Sequence, residues 1–317
     1  MPLIAVVANE PAPLPPTFDF GPQPLDLTYI DPDGNPWSWS DPSLPVFATA
    51  VAGIGSPPIA LTSLPLPGGG ILAQAMTPQV RTITVGLYLY NDAADQDAFL
   101  DLCDQLTRAL WTLRAGQPAP GTLIVGRHDG TSRQVQVLCT DPPTLASDDA
   151  SKSGLTWASY VVTFQAPDPF WTDSVANHMQ FGGVSGSAGV PPMPPVSLNP
   201  STVLGAATVT NSGDADAYPV WTITGPGTPT LTNSTTGLSF GLDAALGAGE
   251  VVTVDTRPQQ QSAVDGVGAN RWADLTRVNP RALWALVPGD NQLNLQLTGA
   301  GVGSLISLSY VQRWLRG

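Results

Sequence analysis

Glutamate and lysine are almost missing from this sequence: Glu10 and Glu250 are its only glutamates and Lys152 its only lysine. Both types favour helix, whereas aspartate, which supplies nearly all the acid here, is a turn and cap residue. That balance argues against a protein built of helices. Bases are few as well: 12 Lys and Arg stand against 25 Asp and Glu, a net charge of −13. Neutralising phosphates takes clustered Lys and Arg, so nucleic-acid binders are argued against and anionic membrane surfaces disfavoured. No apolar run reaches the ~18 residues of a bilayer-spanning helix. The opening MPLIAVVANEPAPLPP has neither the basic start nor the apolar length of a secretory signal. Two cysteines (Cys103, Cys139) and two histidines (His128, His178) are scattered, with no HExxH or CxxC spacing to support zinc.

What is abundant points to strands. The 317 residues include 32 Gly and 33 Pro, and these recur between short apolar runs. A hydrophobic content of 42% supplies real cores, and a prior of ~150 residues per domain gives two of them. Residues 1–20 are a Pro-rich arm. LDLTYIDPDGNPWSW (25–39) reads as a hairpin turning on Asp33-Gly34, and SLPLPGGG (63–70) as a loop. RTITVGLYLY (81–90) alternates as a half-buried strand. Then comes the only convincing helix, between Asn91 and Gly116. Asn91 or Asp92 is its expected cap, and Phe99, Leu102, Cys103, Leu106, Leu110 and Leu113 form its apolar stripe. Strands are expected at 122–126, 132–139 and 157–166, the first two joined at His128-Asp129-Gly130-Thr131. GGVSGSAGVPPMPPV (182–196) has linker composition. Beyond it, eight short strands are expected at 206–211, 219–225, 228–233, 238–242, 250–256, 282–287, 291–298 and 304–314, the pattern of a sandwich or jelly roll. Pro219 cannot donate to a ladder and so must open its strand or face an edge.

The search for chemistry returns little. The glycines of GVSGSAG (183–189) neither follow a strand nor open a helix, so they make no nucleophile elbow. Asp31-Pro32-Asp33-Gly34-Asn35 mimics part of a calcium loop without its downstream glutamate. Every candidate carboxylate sits where a turn or cap accounts for it. No catalytic, cofactor-binding or metal-binding residue is identified. Among nine tryptophans, Trp37, Trp39, Trp171 and Trp272 are the candidates for an interface or a sugar-facing platform.

Several phrases, in order, resemble distal tail proteins of long-tailed, non-contractile bacteriophages. FQAPDPFW ends the first half, and GTLIVGRHDGTSRQVQV (121–137) resembles the family's hairpin. In the second half NSGDADAYPV (211–220), GPGTPTLTNSTTG (225–237), GEVVTVDT (249–256) and PGDN (288–291) follow, with SLSYVQRWL near the end. The first 80 residues match only through DPDGNPW. The resemblance implies a mainly β protein: a Pro-rich arm (1–20), a β-barrel-like belt domain with one α-helix (21–172), a linker (173–200) and a galectin-like β-sandwich or jelly roll (201–317). It implies a non-enzymatic structural protein, without cofactor, at the distal end of the virion tail. Copies would form a homo-hexameric ring between tail tube and hub, a docking platform at the tail tip. Expected partners are the tail-tube, tape-measure and tail-hub proteins and, in some phages, a receptor-binding protein. DNA would be passing cargo that an acidic lumen repels, and no membrane is involved. The alternative is a carbohydrate-binding β-sandwich adhesin acting in host-surface recognition. No segment is long enough for the inserted carbohydrate-binding module of some family members.

Overall fold

The computed structural model describes residues 26–91, 95–142, 156–182, 205–277 and 283–317. The Pro-rich arm, Asp92 and most of the expected linker lie outside these residues.

The first half gives β1 (Asp26–Ile30), β2 (Pro36–Ser38), β3 (Val46–Ala52), β4 (Ile59–Pro65), β5 (Ile71–Pro78), β6 (Arg81–Tyr90), α1 (Gln96–Leu110), the two-residue strands β7 (Leu113–Arg114) and β8 (Gln117–Pro118), β9 (Gly121–Gly126), β10 (Ser132–Asp141), β11 (Trp157–Ala166) and β12 (Trp171–Asp173). The main sheet runs β2-β1-β9-β10-β11-β6-β3, every pair antiparallel. This path is open among the described residues, with β2 and β3 at its ends. Strict alternation puts Ile83, Val85, Leu87 and Leu89 of β6 and Tyr160, Val162 and Phe164 of β11 in one core. Helix α1 covers that core with Phe99, Cys103, Leu106 and Leu110.

Two details of the helix differ from expectation. The cap is Asp95, whose carboxylate accepts from the Asp97 and Ala98 amides. The helix also stops at Leu110, because the Thr112 hydroxyl pairs with both the amide and the carbonyl of Cys139 on β10. The chain is thereby pulled into the β7–β8 turn, and Leu113 is exposed instead of joining the apolar stripe.

The second half gives β13 (Asn177–Gly182), β14 (Gly205–Asn211), β15 (Val220–Thr224), β16 (Thr228–Asn233), β17 (Leu238–Leu242), β18 (Val251–Asp255), β19 (Ser262–Asp265), β20 (Leu275–Arg277), β21 (Gly289–Thr298), β22 (Leu305–Tyr310) and β23 (Arg313–Trp314). Two five-stranded sheets, β13-β22-β15-β18-β19 and β14-β21-β16-β17-β20, share one core. At its centre Trp221 meets Trp284 edge-on at 5.2 Å. Pro219 stands just before the central strand β15, where its missing N–H costs no ladder bond; its carbonyl accepts from the Thr256 amide and hydroxyl. The stretch 283–287 is not a strand, although Leu283, Trp284 and Leu286 are buried. Buried Asn211, Asn233 and Asn291 hold it: Asn211 Nδ2 donates to Leu286 O, Asn233 Nδ2 to Ala285 O and Asn291 Nδ2 to Val287 O. Residues 177–182, expected within a linker, are the strand β13 paired to β22, because Met179 and Phe181 pack against the sandwich core.

Candidate assembly surface

Two of the four singled-out tryptophans are core residues. Trp39 is fully buried and stacked on Tyr29 at 5.2 Å. Trp171 is fully buried beneath the Arg81 guanidinium, 5.7 Å from its ring centre. Neither ring can meet a sugar or a partner from there. Trp37 is half-buried, with its indole N–H 3.5 Å from Asp31 Oδ2, and Trp272 is half-buried in a short 3-10 turn against the sandwich core. The four do not form one platform: Trp37, Trp39 and Trp171 belong to the first core and Trp272 to the second. No group of three or more His, Cys, Asp or Glu stands together among the described residues. His128 and His178 are both exposed.

The feature that departs most from an ordinary surface is the hairpin β4–β5, whose middle (63–70) is expected as a loop and whose flanks carry no expectation. Its strands pair with each other and not with the main sheet. Its turn spans 66–70, where Gly68, Gly69 and Gly70 all adopt positive φ. Every residue of β5 is exposed. Cross-strand neighbours are apolar: Leu61 faces Met76, Leu64 faces Leu72 and Ile59 faces Pro78. Met76 is 66% exposed and Ile59 58%. From Pro42 to Val80 the sequence holds no charged residue at all, in a chain of net charge −13. An isolated two-stranded hairpin is marginal in water. A charge-free, apolar ribbon whose outer edges pair with no other strand among the described residues has the character of an interaction surface.

The surface continues onto the sheet. The hairpin follows β3, the edge strand, across a sharp bend at Gly53 (φ 87), where a Cβ would lie 2.0 Å from Thr82 O. On the outer face of β3, β6 and β11, Phe47 lies 5.5 Å from Tyr88, which stacks on Trp157 at 5.9 Å. Apart from Arg81, whose side chain points inward, β6 and β11 carry no charge. Beside this face is a shallow hollow of about 380 Å³ lined by Pro45, Tyr90, Ala98, Leu102 and Gln105 among others.

Arg81 ties the root of the hairpin to the rest of the molecule. Fully buried and without a carboxylate partner, it donates to Gly53 O at 2.8 Å, to Gly55 O, to Pro169 O at 2.7 Å and to Leu315 O at 2.8 Å. Burial pulls its pKa down to about 10. A planar fork with five donors suits a ring of carbonyls as an ammonium would not.

No family model matches the sequence, and no curated protein matches it significantly. Solved structures do match in shape. The crystal structure of the phage SPP1 Dit protein, described as a paradigm of hub adsorption apparatus in phages infecting Gram-positive bacteria, superposes with a TM-score of 0.61 at 12% identity, covering 91% of this chain and 98% of that one. The chain has the Dit fold. A chain of the phage P2 baseplate in its activated conformation with Ca covers the same shares at 10% identity, with a TM-score of 0.48. A likeness over 91% of the chain takes in both cores. PGGG between two apolar runs is a hairpin-turn signal in the sequence.

Proposed function

We propose that this protein is a structural subunit of a phage tail tip, a distal tail protein that self-associates through the β4–β5 hairpin and the adjoining β3 edge. The observation that carries the reading is a charge-free apolar hairpin projecting from a Dit-like fold. Copies of an acidic protein repel one another at most approaches. They meet at least cost where neither brings charge, and the hairpin is that place. Head-to-tail contacts of this kind close into a ring when the rotation per copy allows it, and the family resemblance gives six copies. The ring joins the tail-tube protein to the tail-hub and tape-measure proteins, and the outward sandwich receives a receptor-binding protein. DNA passes through the centre, where an acidic protein gives it nothing to adhere to. The role is structural and not catalytic. The adhesin reading loses Trp39 and Trp171 to the core, which leaves it without a cluster of exposed aromatics among the four it relied on.

Negative-stain microscopy of the purified chain tests the reading: rings with an open centre are expected. A population of single copies at all concentrations, binding glycans on an array, would replace it with the adhesin.

A further inference from the structure

The last described residues of the sandwich half return to the first core. Strand β23 lies between the two halves: Trp314 pairs with Trp171 and Arg313 with Thr172 on one side, and Arg313 bridges to Ala215 on the other. Its contacts are dense for so short a segment. The Trp314 indole donates to Asp173 Oδ1 at 2.7 Å, and the Arg133 guanidinium lies 3.9 Å above that ring. Arg313 donates to Asp168 Oδ1 at 2.6 Å and stacks on Phe170 at 4.3 Å. The Leu315 amide donates to Asp214 Oδ2 and the Gly317 amide to Ile54 O, each at 3.0 Å. Arg133 donates to Arg316 O. Gly213 lets the two backbones touch, since a Cβ there would lie 2.6 Å from Arg313 O.

We propose that residues 313–317 form a strap that locks the sandwich onto the first core and, through Arg81, fixes the direction in which the hairpin root leaves the sheet. The four carbonyls that Arg81 gathers come from the hairpin root (Gly53, Gly55), the turn before β12 (Pro169) and the strap (Leu315). Moving the strap therefore leaves a buried guanidinium short of an acceptor, and the hairpin root loses its tie. A load on the sandwich is carried to the hairpin instead of being absorbed at a loose joint. The lock is a property of the single chain; its consequence for assembly rests on the ring reading.

The test uses the full chain made monomeric by Leu61→Asp with Met76→Asp, so that the answer does not depend on ring formation. The strap is opened in one variant by Arg313→Ala with Trp314→Ala, and in a second by Arg81→Met. The intact strap gives one calorimetric transition. Opening it splits this into two, the first core melting at least ~5 °C below the sandwich, and broadens the distance distribution from small-angle scattering. A single unshifted transition with unchanged scattering in both variants overturns the proposal. Hydrogen exchange on the intact chain is the check that needs no strap variant: the Leu315 and Gly317 amides exchange as slowly as those of β6, and free exchange of both also overturns it. A parent that never assembles, with strap variants that still decouple the halves, leaves the strap standing and removes the ring.

Discussion

The hairpin Ile59–Pro78 and the far end of the sandwich are both exposed, yet their apolar residues differ in kind. Strand register puts the starts of β18 and β22 beside the end of β15, so the loops carrying Val267 and Val302 project from one end of the sandwich. These valines are 90% and 87% exposed, but each stands singly on a glycine-flanked turn. In the hairpin, apolar residues face apolar residues across paired strands, within a stretch of sequence that holds no charged residue. Singly exposed valines are ordinary; a contiguous apolar ribbon is not. The sandwich leaves its exposed apolar residues scattered, whereas the first half carries a contiguous apolar ribbon, which is why the proposed contact between copies is placed there.

The largest way to break that comparison lies in the sandwich core. Trp221→Ala empties a fully buried site touching Trp284 and Phe240. It is expected to cost ~3–5 kcal/mol, read as a lowered midpoint in chemical denaturation. A smaller effect is expected at the joint. Gly213→Ala drives a methyl against Arg313 O and should cost ~1–3 kcal/mol. Gly247→Ala is its control, since the nearest atom is Glu250 Oε2 at 3.7 Å, and its denaturation curve should overlay the parent's.

Asp31 sharpens the first half. Burial raises its pKa, but hydrogen bonds from Asn35, Trp37 and the Asp33 amide outweigh burial and hold it below the usual value. Its contribution is therefore full above the unfolded-state pKa of ~3.9 and is lost as pH falls through the lower folded-state value. Asp31→Ala should cost ~1–2 kcal/mol at neutral pH and flatten the acid limb of the stability profile, followed by thermal melts from neutral pH downward. A smaller effect on stability is expected where the effect on assembly is greatest: Leu61→Asp with Met76→Asp sets two like charges across from each other and loosens the hairpin by ~1 kcal/mol, while both cores, to which neither residue belongs, keep their packing.

Much of the fold was legible because alternation survives where one face is buried. The strands 81–90, 157–166, 228–233 and 238–242 have the bounds that period-2 patterning predicts. The phrases that carry the resemblance fall at corners and at the joint. Asn211, Asn233 and Asn291 pin the 283–287 segment; APDPFW, NSGDA and VQRWL supply Asp168, Gly213 and Trp314 to the strap. What escaped were elements set by tertiary context. The hairpin has no buried face, so alternation has nothing to act on. The helix end depends on a Thr112–Cys139 contact across 27 positions. Burial of Trp39 and Trp171 follows from which side of the sheet the core fills, which single-strand patterning does not fix.

The central claim is that the hairpin is the contact between copies. Sedimentation velocity on the parent chain and on Leu61→Asp with Met76→Asp, each over a range of concentrations, tests it most directly. The account predicts a closed oligomer for the parent and a single folded copy for the variant, with the same circular dichroism. Equal assembly of the two proteins would contradict it.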